Sequence, residues 1–157
     1  MSNNHTPTSH FGTPSAPAVL SSTLPTAADF VWPLSARIFL LLGALSAGAS
    51  VVFGAAFAHL PVFAGLVPTA VQTALSQQQF HALGLLLVGL AIRVSGASRY
   101  LLAAGWLMGI GLVLFSFNLY ARHVFGLDAL RGLVPWGGVA WILAWLSLAW
   151  GVAAKQR

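Results

Sequence analysis

The side chains able to ligate a metal, move a proton or hold a polar ligand gather in three places along this sequence. His59 ends one apolar run, Gln72, Thr73, Gln77, Gln78 and His81 open a second, and Ser116, Asn118, Tyr120, Arg122 and His123 close a third, with Asp128 shortly beyond. Gln77 and Gln78 precede His81 by four and three residues, a spacing that puts all three on one side of a helix. A neutral imidazole can ligate haem iron or a divalent cation, and polar groups set between apolar segments can mark the route of a small molecule or ion. The ordinary explanation of the same residues is an interhelical hydrogen-bond layer, because a polar group surrounded by hydrocarbon must find a partner. These residues form the candidate polar layer, expected toward one end of the molecule with His59 and His81 at the same level.

What is missing narrows the chemistry. The chain has no Glu, and its two aspartates, Asp29 and Asp128, fall in an N-terminal tail and in a loop. Paired-carboxylate acid and base catalysis therefore has no parts, and the carboxylate that usually orients a metal-bound histidine is absent. Zero cysteines remove thiol catalysis and thiolate metal sites. Neither a Walker-type phosphate loop nor a zinc-protease histidine motif occurs. Without carboxylates inside the apolar runs, coupled proton or sodium transport of the usual kind also lacks its ion carriers. No metal, no cofactor and no enzymatic activity are expected; a haem- or quinone-binding subunit is the weaker alternative. The net charge of +5 is spread over the whole chain, so no basic patch exists to grip phosphates and no nucleic-acid partner is expected.

The elements that must position these residues are apolar helices. A chain that is 58% hydrophobic and 6% charged cannot cover a soluble domain, whose surface normally uses about a quarter charged residues. Ile38–Leu60, Tyr100–Ala121 and Leu133–Ala154 are free of Lys, Arg, Asp and Glu, and at 1.5 Å per residue each can cross a hydrocarbon core of roughly 30 Å. A fourth run is continuously apolar only over Ala82–Ile92 and reaches spanning length if it extends back through Thr73–Gln79. The expected fold is all-α, a four-helix transmembrane bundle over residues 35–157 with helices near 35–60, 72–94, 99–122 and 133–154. Residues 1–34, rich in Pro, Ser and Thr, are expected to be a disordered tail that is neither a secretory signal nor a mitochondrial presequence. Gly43, Ala47, Ser50, Gly54 and Ala58 share one face of the first helix, and Gly105 and Gly109 share one of the third. Small residues there let neighbouring backbones approach closely. Arg37, Arg93, Arg99, Lys155 and Arg157 fall on one side of the membrane and Arg122 and Arg131 on the other, which predicts both termini inside. Trp32, Tyr100, Trp150, Tyr120 and Trp136 are expected near the interfaces, and Trp141 and Trp145 to serve packing or to face lipid.

Four short segments fall into a recognisable order: Gly54-Ala55-Ala56-Phe57-Ala58-His59, then Gln72-Thr73 leading to Phe80-His81-Ala82-Leu83, then Leu114-Phe115-Ser116 with Leu119-Tyr120, then Pro135-Trp136-Gly137-Gly138 with Trp145. Over roughly residues 35–154 the chain resembles the small bacterial inner-membrane proteins catalogued as domain of unknown function 423, related to the eukaryotic transmembrane protein 256. The resemblance implies four transmembrane helices and supplies no activity. It matches at His59, Gln72, Thr73, His81, Ser116, Tyr120, Pro135, Gly137 and Gly138. The expectation is a multi-pass protein of the bacterial cytoplasmic membrane, non-enzymatic, whose partners are the lipid bilayer and copies of itself or another membrane protein. The alternative is a small-molecule or ion-handling protein using the outer His, Gln, Asn and Arg side chains.

Overall fold

Lipid-compatible sequences satisfy their backbone most simply as helices, since each N–H and C=O then pairs within its own segment. The computed structural model describes residues 32–154. Residues 1–31 of the expected tail, and Lys155 and Arg157, lie outside them. The described residues contain helices and no strand. Helix α1 spans Leu34–His59 and stops at Leu60, whose extended backbone precedes Pro61. A 3-10 turn over Pro61–Phe63 leads to α2, Thr69–Ser95, which begins after Pro68 and includes the polar stretch around Gln77. Gly96, with φ 77°, ends α2. Ser98 then caps α3, its hydroxyl oxygen accepting from the Leu101 N–H at 3.2 Å. Helix α3 runs over Arg99–Phe125, with π-helical turns at Leu112–Phe117, and ends at Gly126, φ 68°. A second 3-10 turn, Arg131–Leu133, enters α4, Val134–Ala153, with Pro135 in the first turn where its missing N–H costs nothing.

All four helices are long and apolar enough to cross a membrane. Their exteriors are apolar as well: Leu45, Val51, Leu83, Val113 and Leu146 stand out from the bundle. A helix that is hydrophobic on every side belongs in lipid. The chain forms two antiparallel hairpins, α1 against α2 and α3 against α4, joined through α2 and α3.

Each hairpin is locked by a reciprocal glycine exchange. Gly43 of α1 receives Leu86 of α2, where a Cβ would lie 2.9 Å from both the Leu86 side chain and the Ala82 carbonyl, and Gly89 of α2 receives Leu40 of α1. In the second hairpin Gly111 receives Trp141, and Gly137 receives Phe115. Two hydrophobic clusters follow. One runs through the middle and the Arg99 end, including Phe39, Leu85, Met108, Trp141 and Leu148. The other, at the far end, packs Phe57 and Phe63 against Val71, Leu119 and Tyr120. Between them α1 diverges from α3. The two helices touch where Phe39 lies on Gly105 and edge-on to Trp106, and again where Phe53 and Phe57 meet Tyr120.

Candidate functional site

The centre of the polar layer is Gln78, fully enclosed on the face of α2 that also carries Ala74, Ala82 and Leu85. Its Nε2 donates to the Ser46 carbonyl of α1 at 3.0 Å and, at 3.4 Å, to the Ser46 hydroxyl. Its Oε1 accepts from the Tyr120 hydroxyl of α3 at 2.9 Å. One amide thus ties three helices together. Close by, the Ser116 hydroxyl donates to the Ala74 carbonyl at 2.9 Å, a second link between α3 and α2 made from the π-helical turns. That widened turn is placed where α3 must offer both Ser116 to α2 and Phe115 to Gly137 of α4. π-Turns commonly mark such demands.

His81 lies one turn further along α2, close to the middle of the helix, and only 4% of it is exposed. Its Nδ1 is 2.8 Å from the Gln77 carbonyl, which can only accept, so Nδ1 carries the proton. The ring stacks flat on Trp141, centroids 3.8 Å apart, and the Trp141 Nε1–H donates to the Met108 carbonyl at 3.2 Å. Asn118 donates to the Leu130 carbonyl at 2.7 Å, fastening α3 to the loop before α4. Arg122 pairs with Asp128 at 2.7 Å in a solvent-facing position, and His123 Nδ1 donates to the Leu119 carbonyl.

The remaining predicted residues stand apart. His59 is exposed at the end of α1. The antiparallel register that sets Ser46 beside Gln78 and Gly54 beside Leu75 leaves His59 level with the chain just before α2. His59 and His81 are therefore separated by about 20 Å along the bundle axis at 1.5 Å per residue, which corrects the expectation that they share a level. Thr73 and Gln72 face outward, and the Gln72 amide turns back to the Val67 carbonyl. Gln77 is half-buried and contributes its carbonyl to His81, while the side chain that crosses to α1 belongs to Gln78. Ser46 and Trp141 complete the buried constellation. Ser46 is missing from the expected polar layer, and its spacing of three and four from Gly43 and Ser50 was the available signal; nothing in the spacing singled out Trp141 as the partner of His81.

Every buried side-chain nitrogen and oxygen among the described residues has a hydrogen-bond partner. No three His, Asp or Glu side chains among them come close enough to hold a metal ion. The small-residue positions divide. Gly43, Ala47, Gly54, Gly105 and Gly137 receive neighbouring helices or lie partly buried within the bundle, whereas Gly109 and Gly138 have nothing within 4 Å of a built Cβ.

Residues 53–138, which contain Gln78, His81, Ser116, Tyr120 and Gly137, match the family model described as Protein of unknown function (DUF423). The chain belongs to this family. A relative named UPF0382 membrane protein YwdK, from Bacillus subtilis, is 38% identical over 117 residues, covering 71% of this chain and 93% of that one. A UPF0382 membrane protein of Haemophilus influenzae is 32% identical over 115 residues, 72% of this chain and 91% of its own length. UPF0382 inner membrane protein YgdD of Escherichia coli is 31% identical over 127 residues, 79% of this chain and 95% of its own. No solved structure matches the chain. With its four apolar helices, this DUF423 protein is a bacterial multi-pass membrane protein.

Proposed function

We propose that this DUF423 protein is a non-enzymatic subunit that acts by lateral association of its helices in the bilayer, first of all with copies of itself. The observation that carries the reading is the outward side of α1. The stripe through Gly43, Ala47, Ser50 and Gly54 is turned toward α2, yet α1 repeats small residues on a second side, about a third of a turn around the helix, at Ala44, Gly48 and Ala55, all exposed. Nothing lies within 4 Å of a Cβ built at Gly48. Of the four spans α1 has the smallest buried share. Between lipid-immersed helices association is driven by close backbone approach, and a Gly with an Ala one turn before it permits that approach. The polar layer supports the same reading from the other direction, because each buried nitrogen and oxygen in it already has at least one hydrogen-bond partner within the protein.

The cytoplasmic membrane is the proposed location, with both termini inside. Arg37, Arg93 and Arg99 cluster at one end of the bundle, with Arg93 over the Trp32 ring and Arg99 over Tyr100. The other end carries Arg131 and an Arg122 already paired with Asp128. Cations in short loops favour the cytoplasmic side. The association is tested by energy transfer between donor- and acceptor-labelled protein in liposomes. Transfer should persist on dilution with lipid and fall toward the random-encounter level in Gly48→Ile. Equal transfer in Gly48→Ile and wild type would remove α1 as the contact.

A further inference from the structure

Where α1 and α3 diverge they leave a cavity of about 650 Å³, walled by Leu42, Leu45 and Ala49 of α1 and Ile110 and Val113 of α3, with Leu85 of α2 as its floor. Aromatic contacts close its two ends, Phe39 against Trp106 and Phe53 against Phe117. Its open side faces sideways, into the space lipid occupies. Gly109 lines it, and no atom lies within 4 Å of a Cβ built there, so the slot owes part of its width to that glycine.

One polar group breaks the apolar wall. Ser46 lines the slot at 9% exposure. A serine inside a helix ordinarily donates its hydroxyl proton to a carbonyl about one turn back, as Ser50 does to Ala47 and Ser76 to Gln72. Ser46 makes no such bond among the described residues. Its oxygen receives the long contact from Gln78, and its proton is left without an acceptor. Water is a poor occupant, because an ordered water needs two to four polar partners and the buried wall of the slot offers one hydroxyl, with the Trp106 ring at its end.

Depth excludes another class of occupant. Ser46 lies near the middle of the 26-residue α1, so phospholipid head groups, at the faces of a hydrocarbon core of roughly 30 Å, are about 15 Å away. An anion is unsuited as well, since Arg37, Arg93 and Arg99 all lie at the helix ends. We infer that the slot between α1 and α3 binds a neutral lipophile that carries a hydrogen-bond-accepting oxygen into the bilayer core, a quinone head on an alkyl or isoprenoid chain being the chemistry that fits. The Ser46 hydroxyl donates to that oxygen, and Gln78, held by Tyr120, fixes the serine from behind. The slot uses the side of α1 that carries Leu42, Leu45 and Ala49, not the Ala44 and Gly48 side, so the inference is independent of self-association.

The test uses the full-length protein in phosphatidylcholine liposomes and a photoreactive decylquinone, with labelled residues mapped by mass spectrometry. Labels should fall on α1 residues 42–49 and α3 residues 106–117, and unlabelled decylubiquinone should compete while hexadecane does not. Ser46→Ala should weaken competition about 5-fold, the equivalent of one hydrogen bond of roughly 1 kcal/mol in a membrane. Gly109→Leu should abolish slot labelling with the helical circular dichroism unchanged, and Gly48→Leu should leave labelling intact. Competition by hexadecane as strong as by the quinone would reduce the slot to a groove for lipid tails and overturn the inference. Labelling elsewhere in the protein, or Ser46→Ala indistinguishable from wild type, would overturn it equally.

Discussion

Replacing Gln78 by leucine removes the amide that ties α1, α2 and α3 while keeping an apolar side chain of similar size. Two short interhelical hydrogen bonds disappear, to the Ser46 carbonyl at 3.0 Å and from the Tyr120 hydroxyl at 2.9 Å, along with the longer 3.4 Å contact to the Ser46 hydroxyl. In membranes such bonds average about 0.6 kcal/mol and reach about 1.7. The Ser46 carbonyl keeps its place in the α1 backbone ladder, but the Tyr120 hydroxyl, 6% exposed, loses its acceptor. That orphaned donor moves the expected loss toward the upper end, about 2–3 kcal/mol. Tyr120→Phe deletes only the bond to Gln78 Oε1 but leaves that enclosed oxygen without a donor, and should cost about 1–2 kcal/mol. Because the Phe also removes the orphan, the double variant Gln78→Leu/Tyr120→Phe should be no less stable than Gln78→Leu alone. The assay is equilibrium unfolding by SDS in lipid–detergent micelles, followed by circular dichroism, for the four corners of the cycle. Losses that simply add, or a Gln78→Leu protein as stable as wild type, would refute the idea that this amide holds the bundle together.

Further outcomes follow from the same geometry. Gly105→Ala places a methyl within 2.4–2.7 Å of the Phe39 ring and should destabilise by about 1–3 kcal/mol through overpacking, whereas Gly138→Ala, with nothing nearby, should be neutral or stabilise by up to about 1 kcal/mol; the same unfolding assay separates them. Asp128→Asn breaks an exposed pair with Arg122 and should cost under about 1 kcal/mol, measured as a shift in the unfolding midpoint at low salt that vanishes at high salt. Reporter fusions after Arg99 and after Arg131 should report opposite sides of the membrane, the Arg99 fusion being cytoplasmic; the reverse pattern would invert the proposed orientation.

The fold was legible because hydrocarbon solvation leaves few options. Apolar runs of spanning length mark the helices, and the structure ends them by local chemistry, at Pro61 after α1 and at the positive-φ glycines 96 and 126. The small-residue stripe through Gly43 and Gly54 was equally plain, since Gly at these positions leaves holes that Leu86 and Leu75 fill. The relative height of residues on different helices was not legible. His59 and His81 looked level because both sit beside the same connection, but His59 ends α1 whereas His81 lies deep within α2, and only the packed register of Ser46 on Gln78 reveals the offset. Gln77 and Gln78 stand one residue and 100° of helix rotation apart, and only Gln78 faces the core. Ala74 and Ala82, four residues either side of Gln78, were the available signal for the buried face. Gly109 and Gly138 show the limit of the small-residue rule: it identifies a surface that could be packed and is silent on whether the partner is internal.

Contact between copies through the outward side of α1 is tested most directly by cysteine scanning in native membranes. The chain has no cysteine of its own, so each introduced thiol is the only one present, and disulfide formation requires Cα atoms within about 7 Å. Dimer yields under mild oxidation should peak at Ala44→Cys, Gly48→Cys and Ala55→Cys and be minimal at Gly43→Cys, Ala47→Cys and Gly54→Cys, a helical periodicity on the lipid-facing side. Uniformly low yields at all six positions, or a maximum on the α2-facing set, would contradict it.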